Sequence, residues 1–190
     1  MNKLERRFEQ VFESLCEDDY DSVLTLLCPL IDGAGKKMYG IKKTGVRFQK
    51  VLKDNNDFLY WVITGGVLTL DKEADFVFIG EGKDKTNLSR AIYSLVRNSL
   101  LHEGELSEKI EFVDVAKFGP DGEKVVFPKS LIWALAFMVA YLPCYQDACP
   151  KHATLSVSGI STPLHEFWGN KDKVMTFIRK NCFKIRVLNE

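Results

Sequence analysis

Residues 95–104 read Leu-Val-Arg-Asn-Ser-Leu-Leu-His-Glu-Gly, which places Arg97, Asn98 and His102 within six positions. Histidine is the residue type whose unperturbed side chain exchanges protons near neutrality, which makes His102 a candidate acid or base. Arg97 stays charged and presents a planar fork that fits phosphate oxygens, which suits it to hold developing negative charge. Asn98 stands one helical turn before His102 and can orient its imidazole or bond to a nucleic-acid backbone. These types together suit proton transfer beside a phosphoryl group. The same residues also fit a plainer role. A His ending an apolar seam is commonly a hydrogen-bonded, semi-buried side chain, and an Arg one turn earlier a solvated charge.

A second feature lies between Lys36 and Lys53. Lys36, Lys37, Lys42, Lys43, Arg47, Lys50 and Lys53 share this stretch with no Asp or Glu. In a chain of zero formal net charge that is a local asymmetry. Tyr39 and Phe48 interleave with the cations as stacking groups, so the stretch reads as a groove for RNA phosphates. A solvated loop and one basic helix face, with Phe48 in the core, would give the same pattern.

Cys144, Cys149 and His152 follow C-x4-C-x2-H spacing, with His165 further on. Zinc accepts these ligand types, but the spacing matches no standard knuckle, and Pro143 and Pro150 alone explain an ordered turn. We therefore assign no metal and no cofactor. Asp18, Asp19 and Asp21 sit at a helix junction, where capping accounts for them. No Walker-type loop, no G-x-G-x-x-G after a strand and no H-E-x-x-H occurs.

The elements that must position these groups are mostly helical. Leu4, Phe8, Val11, Phe12 and Leu15 recur at spacings of three and four, predicting a helix over 3–17. A second starts near Ser22, with Pro29 expected to kink or divide it. Gly33, Gly35, Gly40 and Gly45 then predict a loop-rich stretch. A third helix is expected over 45–63. GGVLTL and DFVFIG, within 64–86, read as two short strands or as loops. Asn87 is a good N-cap for a helix from Leu88 to Glu103, ended by Gly104. In that helix Leu88, Ile92, Leu95, Ser99 and His102 form the inward seam. IEFVDV and EKVVF flank Gly119-Pro120-Asp121-Gly122 and predict a β-hairpin. A core helix over 129–142, a Cys- and Pro-rich loop over 143–163 and a last helix over 170–181 complete the chain.

The chain has 190 residues, which favours a single domain over 1–190. Hydrophobic residues are 46% and charged ones 27%, a globular balance that excludes wholesale disorder. Lys plus Arg and Asp plus Glu are 26 each, which excludes a histone-like coating of nucleic acid. The start is charged from its third residue and lacks an apolar h-region, so no secretory signal is expected. The longest apolar run, Leu131 to Leu142, is too short to span a bilayer, so no membrane partner is expected. Five cysteines, an odd count, point to reduced thiols in a cytoplasm.

The Arg97-Asn98-x3-His102 segment resembles the R-x4-H motif of the HEPN superfamily, the higher eukaryote and prokaryote nucleotide-binding domains. Ile31-Asp32-Gly33-Ala34-Gly35-Lys36, Tyr39-Gly40 and Val46-Arg47-Phe48 resemble the early helices of bacterial HEPN proteins, and the hairpin followed by an apolar helix is similar too. The resemblance covers about residues 20–142 and leaves 143–190 as an extension of unknown role. It implies a mainly α HEPN-like bundle with a β-hairpin insertion, acting as a metal-independent endoribonuclease in a toxin or defence setting. Arg97 and His102 would then be catalytic with Asn98 supporting, and Lys36, Lys37, Lys42, Lys43, Arg47 and Lys50 would bind RNA. Arg97 and His102 lie about 140° apart on one helix, so one copy does not easily converge both on a phosphate. The family's site, shared between two protomers, implies a homodimer, with an antitoxin protein as a further partner. The alternative is a non-catalytic HEPN-like dimeric module that binds RNA, a nucleotide or a partner protein.

Overall fold

The computed structural model describes residues 2–68, 77–79, 85–102, 104–151, 153–157 and 160–182. The fold is mainly helical, as its apolar spacing predicts.

Helix α1 spans Lys3–Cys16. Asn2 caps it by accepting from Leu4 N and Glu5 N, and Glu5 accepts from the Asn2 backbone in return. Its buried face is Phe8, Val11, Phe12 and Leu15. Helix α2 spans Tyr20–Tyr39, capped by Asp19 and closed by Gly40 in the left-handed conformation at φ 65°. Of the two outcomes expected at Pro29, division does not occur: the helix runs through it. Pro29 and Thr25 are both exposed, so the carbonyl that loses its donor to the proline faces water.

The predicted loop from Gly33 is also helix, because two of its glycines serve packing. A Cβ on Gly35 would stand 2.6 Å from the Arg47 carbonyl oxygen, so the glycine lets α2 approach helix α3, Thr44–Lys53. Gly33 makes the same allowance for the Tyr145 hydroxyl.

The helix expected over 45–63 is two, α3 and α4 (Asn56–Ile63). Asn55 makes the break. Its amide donates to the Val51 carbonyl at 2.8 Å, and its Oδ1 accepts from the buried Tyr141 hydroxyl at 2.7 Å. In the segment over 64–86, β1 (Val77–Ile79) pairs antiparallel with β2 (Lys85–Asn87), and residues 69–76 and 80–84 lie outside the described residues.

The next helix has three parts: α5 (Leu88–Ala91), a π-helical segment (Ile92–Arg97) and α6 (Asn98–His102). The predicted hairpin is rearranged. β3 (Ile110–Val113) runs parallel to β5 (Lys124–Pro128), and β4 (Gly119–Asp121) is antiparallel to it, in the order β3-β5-β4. The tight turn is Gly122-Glu123, with Gly122 at φ 58°, so Gly119 to Asp121 is strand rather than turn. β3 is thereby displaced to the other edge of β5.

Helix α7 (Ser130–Tyr141) is the core. Residues 134–141 are all buried, which requires apolar side chains all round. It packs on α2 and α4. The loop expected over 143–163 holds a 3₁₀ turn (Pro143–Ala148) and a hairpin, β6 (Thr154–Val157) with β7 (Ile160–Pro163). β6 lies on α1, and helix α8 (Lys171–Asn181) on α7, so residues after 142 complete the core. No described helix is long and apolar enough to cross a membrane.

Candidate functional site

Asn87 opens the site helix, its side chain accepting from Arg90 N at 2.9 Å. One turn on, the Ser94 hydroxyl donates to the Arg90 carbonyl at 2.8 Å. A side chain occupying a carbonyl in this way disturbs the helical ladder. The ladder widens there, and Asn98 N–H reaches back to the Tyr93 carbonyl. The wider turn shifts the inward seam. Leu88, Ile92, Val96, Ser99 and Leu100 are buried, Leu95 is only half-buried, and His102 is exposed. The expected seam through Leu95 to His102 is thus corrected by the π turn, which lengthens the repeat.

Arg97 and Asn98 are half-buried. The Arg97 guanidinium donates from Nη1 to Asn98 Oδ1 at 3.0 Å and lies 5.4 Å from the centre of the Tyr93 ring. Among the described residues no carboxylate pairs with it. The Asn98 side-chain oxygen is therefore engaged by Arg97. Tyr93 is fixed from the other side by Phe48, ring centres 5.6 Å apart, and by Gly45. A Cβ on Gly45 would stand 2.9 Å from the Tyr93 ring. Tyr93 thus joins Arg97 to the first turn of α3, which Lys42 and Lys43 lead into. Beneath lies Cys28, whose thiol burial pushes up to about 12, with the Arg97 charge pulling the other way.

The basic stretch divides into structural and free cations. Arg47 is structural. It donates to both Asp32 oxygens, at 2.8 and 2.5 Å, and to the Lys42 carbonyl at 2.7 Å, which staples the turn before α3. The Asp32 hydrogen bond raises its pKa further. Lys50 pairs with Asp54 at 3.1 Å, and Asp54 also accepts from the Tyr39 hydroxyl. Lys37 lies over the Tyr145 ring. Lys36, Lys42, Lys43 and Lys53 are exposed and form no ion pair among the described residues. Phe48 is fully buried and offers no stacking face.

No three metal-ligating side chains come together among the described residues, and His152 lies outside them. Cys28, Cys144, Cys149 and Cys182 form no disulfide. A cleft of about 360 Å³ opens between the end of α4, the turn after β3, α7 and α8, lined by Val62, Val115, Trp133, Phe137 and Ile178. It includes none of the residues singled out above. The parts played by Tyr93 and Gly45 are not evident from residue types. The only sequence signal for them is the four-residue spacing of Tyr93 and Arg97, which sets a ring beside a cation on any helix.

No curated protein and no solved structure matches the chain. A family model described as Rv1289 matches residues 3–189. That span takes in α1 and residues 143–189, which the HEPN resemblance leaves out, and the chain belongs to the Rv1289 family.

Proposed function

We propose that the protein is a metal-independent endoribonuclease of the HEPN type, acting in the cytoplasm as a homodimer in a toxin or defence role. The observation that carries this reading is the setting of Arg97. A half-buried guanidinium with no carboxylate partner among the described residues is costly unless an anion is to be met. Tyr93 and Asn98 hold it, and Tyr93 brings it beside the turn that carries Lys42 and Lys43.

In this reading an RNA 2′-hydroxyl attacks its own phosphorus. His102 takes the hydroxyl proton, and Arg97 holds the charge that builds on the non-bridging oxygens. The 5′-oxygen leaves and takes up a proton from the imidazolium so formed, which restores the neutral imidazole. The products are a 2′,3′-cyclic phosphate and a 5′-hydroxyl, with no oxidant or metal consumed. A second copy facing the first supplies the group that one helix cannot bring round.

One observation favours the non-catalytic alternative, a dimeric module that binds RNA, a nucleotide or a partner such as an antitoxin. The Asn98 carbonyl oxygen is engaged by Arg97, and among the described residues no hydrogen bond orients His102. Incubating RNA with the wild type, Arg97→Ala and His102→Ala in excess EDTA separates the two. The nuclease reading expects wild-type cleavage in chelator and a loss of about 100-fold or more in each variant. Melting temperatures should change little, since His102 is exposed and Arg97 fills no core position. RNA binding without cleavage would establish the module instead.

A further inference from the structure

Charge is segregated along the early part of the chain. From Phe8 to Gly35 there are seven acidic residues and no Lys or Arg, and from Lys36 to Lys53 seven Lys or Arg and no acidic residue. The fold sets these blocks at opposite ends of α2. Asp21 stands at its start beside Glu13 of α1 and Glu17 just after it, and the three line a groove of about 640 Å³ with Ser22, Thr25 and Leu26. Lys36 and Lys37 stand in its last turn. Asp21 and Lys36 are about 22 Å apart along the axis. Screening in physiological salt acts over about 8 Å, so neither end neutralises the other within one molecule.

The outward face of α2 is also aligned. At about 100° per residue, Asp21, Thr25, Pro29 and Lys36 fall within an arc of about 80°. All four are exposed, while Leu24, Leu27, Ile31 and Ala34 on the other side are buried. Asp32 shares the arc, but its charge is taken up by Arg47. Along this face the charge therefore runs acid, neutral, base. Such a face is complementary to itself when reversed.

We propose that it docks on a second copy of this chain. The two α2 helices lie antiparallel about a two-fold axis beside Pro29, the exposed residue nearest the midpoint of Asp21 and Lys36. Asp21, Glu13 and Glu17 then face the partner subunit's Lys36, and the same contact recurs at the other end. A two-fold pairing satisfies both ends at once, whereas a head-to-tail contact would leave ends open and continue as a filament. Uncharged Thr25 and Pro29 let the helices close at the centre. Zero net charge removes the long-range repulsion that would keep copies apart. This pairing is the contact of the homodimer proposed above; it is built without Arg97 or His102 and stands whether or not they cleave RNA.

Sedimentation velocity at tens of micromolar protein tests it, in about 0.02 M and about 0.5 M salt. The wild type should be dimeric at low salt and dissociate on the order of tenfold more readily at high salt. Glu17→Lys with Asp21→Lys, and Lys36→Glu with Lys37→Glu, should each give monomers alone. Mixed in equal amounts they should form a heterodimer, which misfolded proteins would not. Pro29→Arg sets like charges face to face across the axis and should give a monomer with an unchanged far-UV spectrum. A monomeric wild type at low salt, a salt-indifferent dimer, a monomeric mixture or a folded, dimeric Pro29→Arg protein would each overturn the proposal.

Discussion

Gly45 shows how a single residue constrains the site without reaching it. Its missing side chain lets Tyr93 lie against the first turn of α3, and Tyr93 in turn carries the Arg97 guanidinium. A methyl group there must displace the ring. Gly45→Ala should therefore cost about 1–3 kcal/mol by overpacking, read as a lower urea midpoint. Tyr93→Leu in the same chain should restore part of that stability, because the atoms that clash are gone. The two changes should thus be non-additive. If Gly45→Ala is as stable as the wild type, or if the two effects simply add, the ring is not held there. Arg47 makes the converse point. It reads as a phosphate ligand in the sequence, yet its two-oxygen pair with Asp32 makes it a staple between α2 and the turn before α3.

Among the elements, α2 holds a proline in its interior. Proline in a helix interior removes a backbone donor and costs about 3 kcal/mol relative to Ala. Here the cost is softened because Pro29 and Thr25 face solvent, so water can serve the freed carbonyl. Pro29→Ala should return the donor and stabilise the protein by about 1–3 kcal/mol. Equilibrium urea unfolding measures it. A drop in stability would mean that the ring packs usefully or that α2 needs its local geometry. The site helix solves a related problem differently. The Ser94 hydroxyl occupies the Arg90 carbonyl, and the ladder widens through Arg97 rather than breaking.

At the scale of the whole molecule, the cations divide by what the fold does with them. Asp32 and Asp54, both just outside the basic stretch, neutralise Arg47 and Lys50. Lys42 and Lys43 stay exposed on the turn that leads into α3. If RNA is bound there, taking away one lysine–phosphate pair should flatten the slope of log affinity against log salt by about 0.7. Lys42→Gln with Lys43→Gln should therefore flatten it by about 1.4. Arg47→Gln should instead lower the melting temperature, because it leaves the half-buried Asp32 without its partner. Filter binding over a salt series distinguishes them. Equal flattening by both sets would return Arg47 to the RNA-facing group.

Much of this architecture is already determined by local sequence. The three-and-four spacing of Phe8, Val11, Phe12 and Leu15 makes α1, and the unbroken run from Leu131 makes the core helix, because helical period and all-round apolarity need no distant partner to be read. Asn87 caps its helix as its type predicts. Contacts between elements decided the rest. Gly33 and Gly35 look like loop formers until Tyr145 and Arg47 are set against them. The 45–63 helix divides because Tyr141, far along the chain, holds Asn55. β3 joins β5 in parallel through backbone hydrogen bonds whose register no local pattern records. The site follows the same division. Arg97, Asn98 and His102 are legible as residue types at a spacing. That Asn98 serves Arg97, that Tyr93 ties Arg97 to Gly45, and that Arg47 is spent on Asp32 depend on distances between separate helices, which only the folded chain sets.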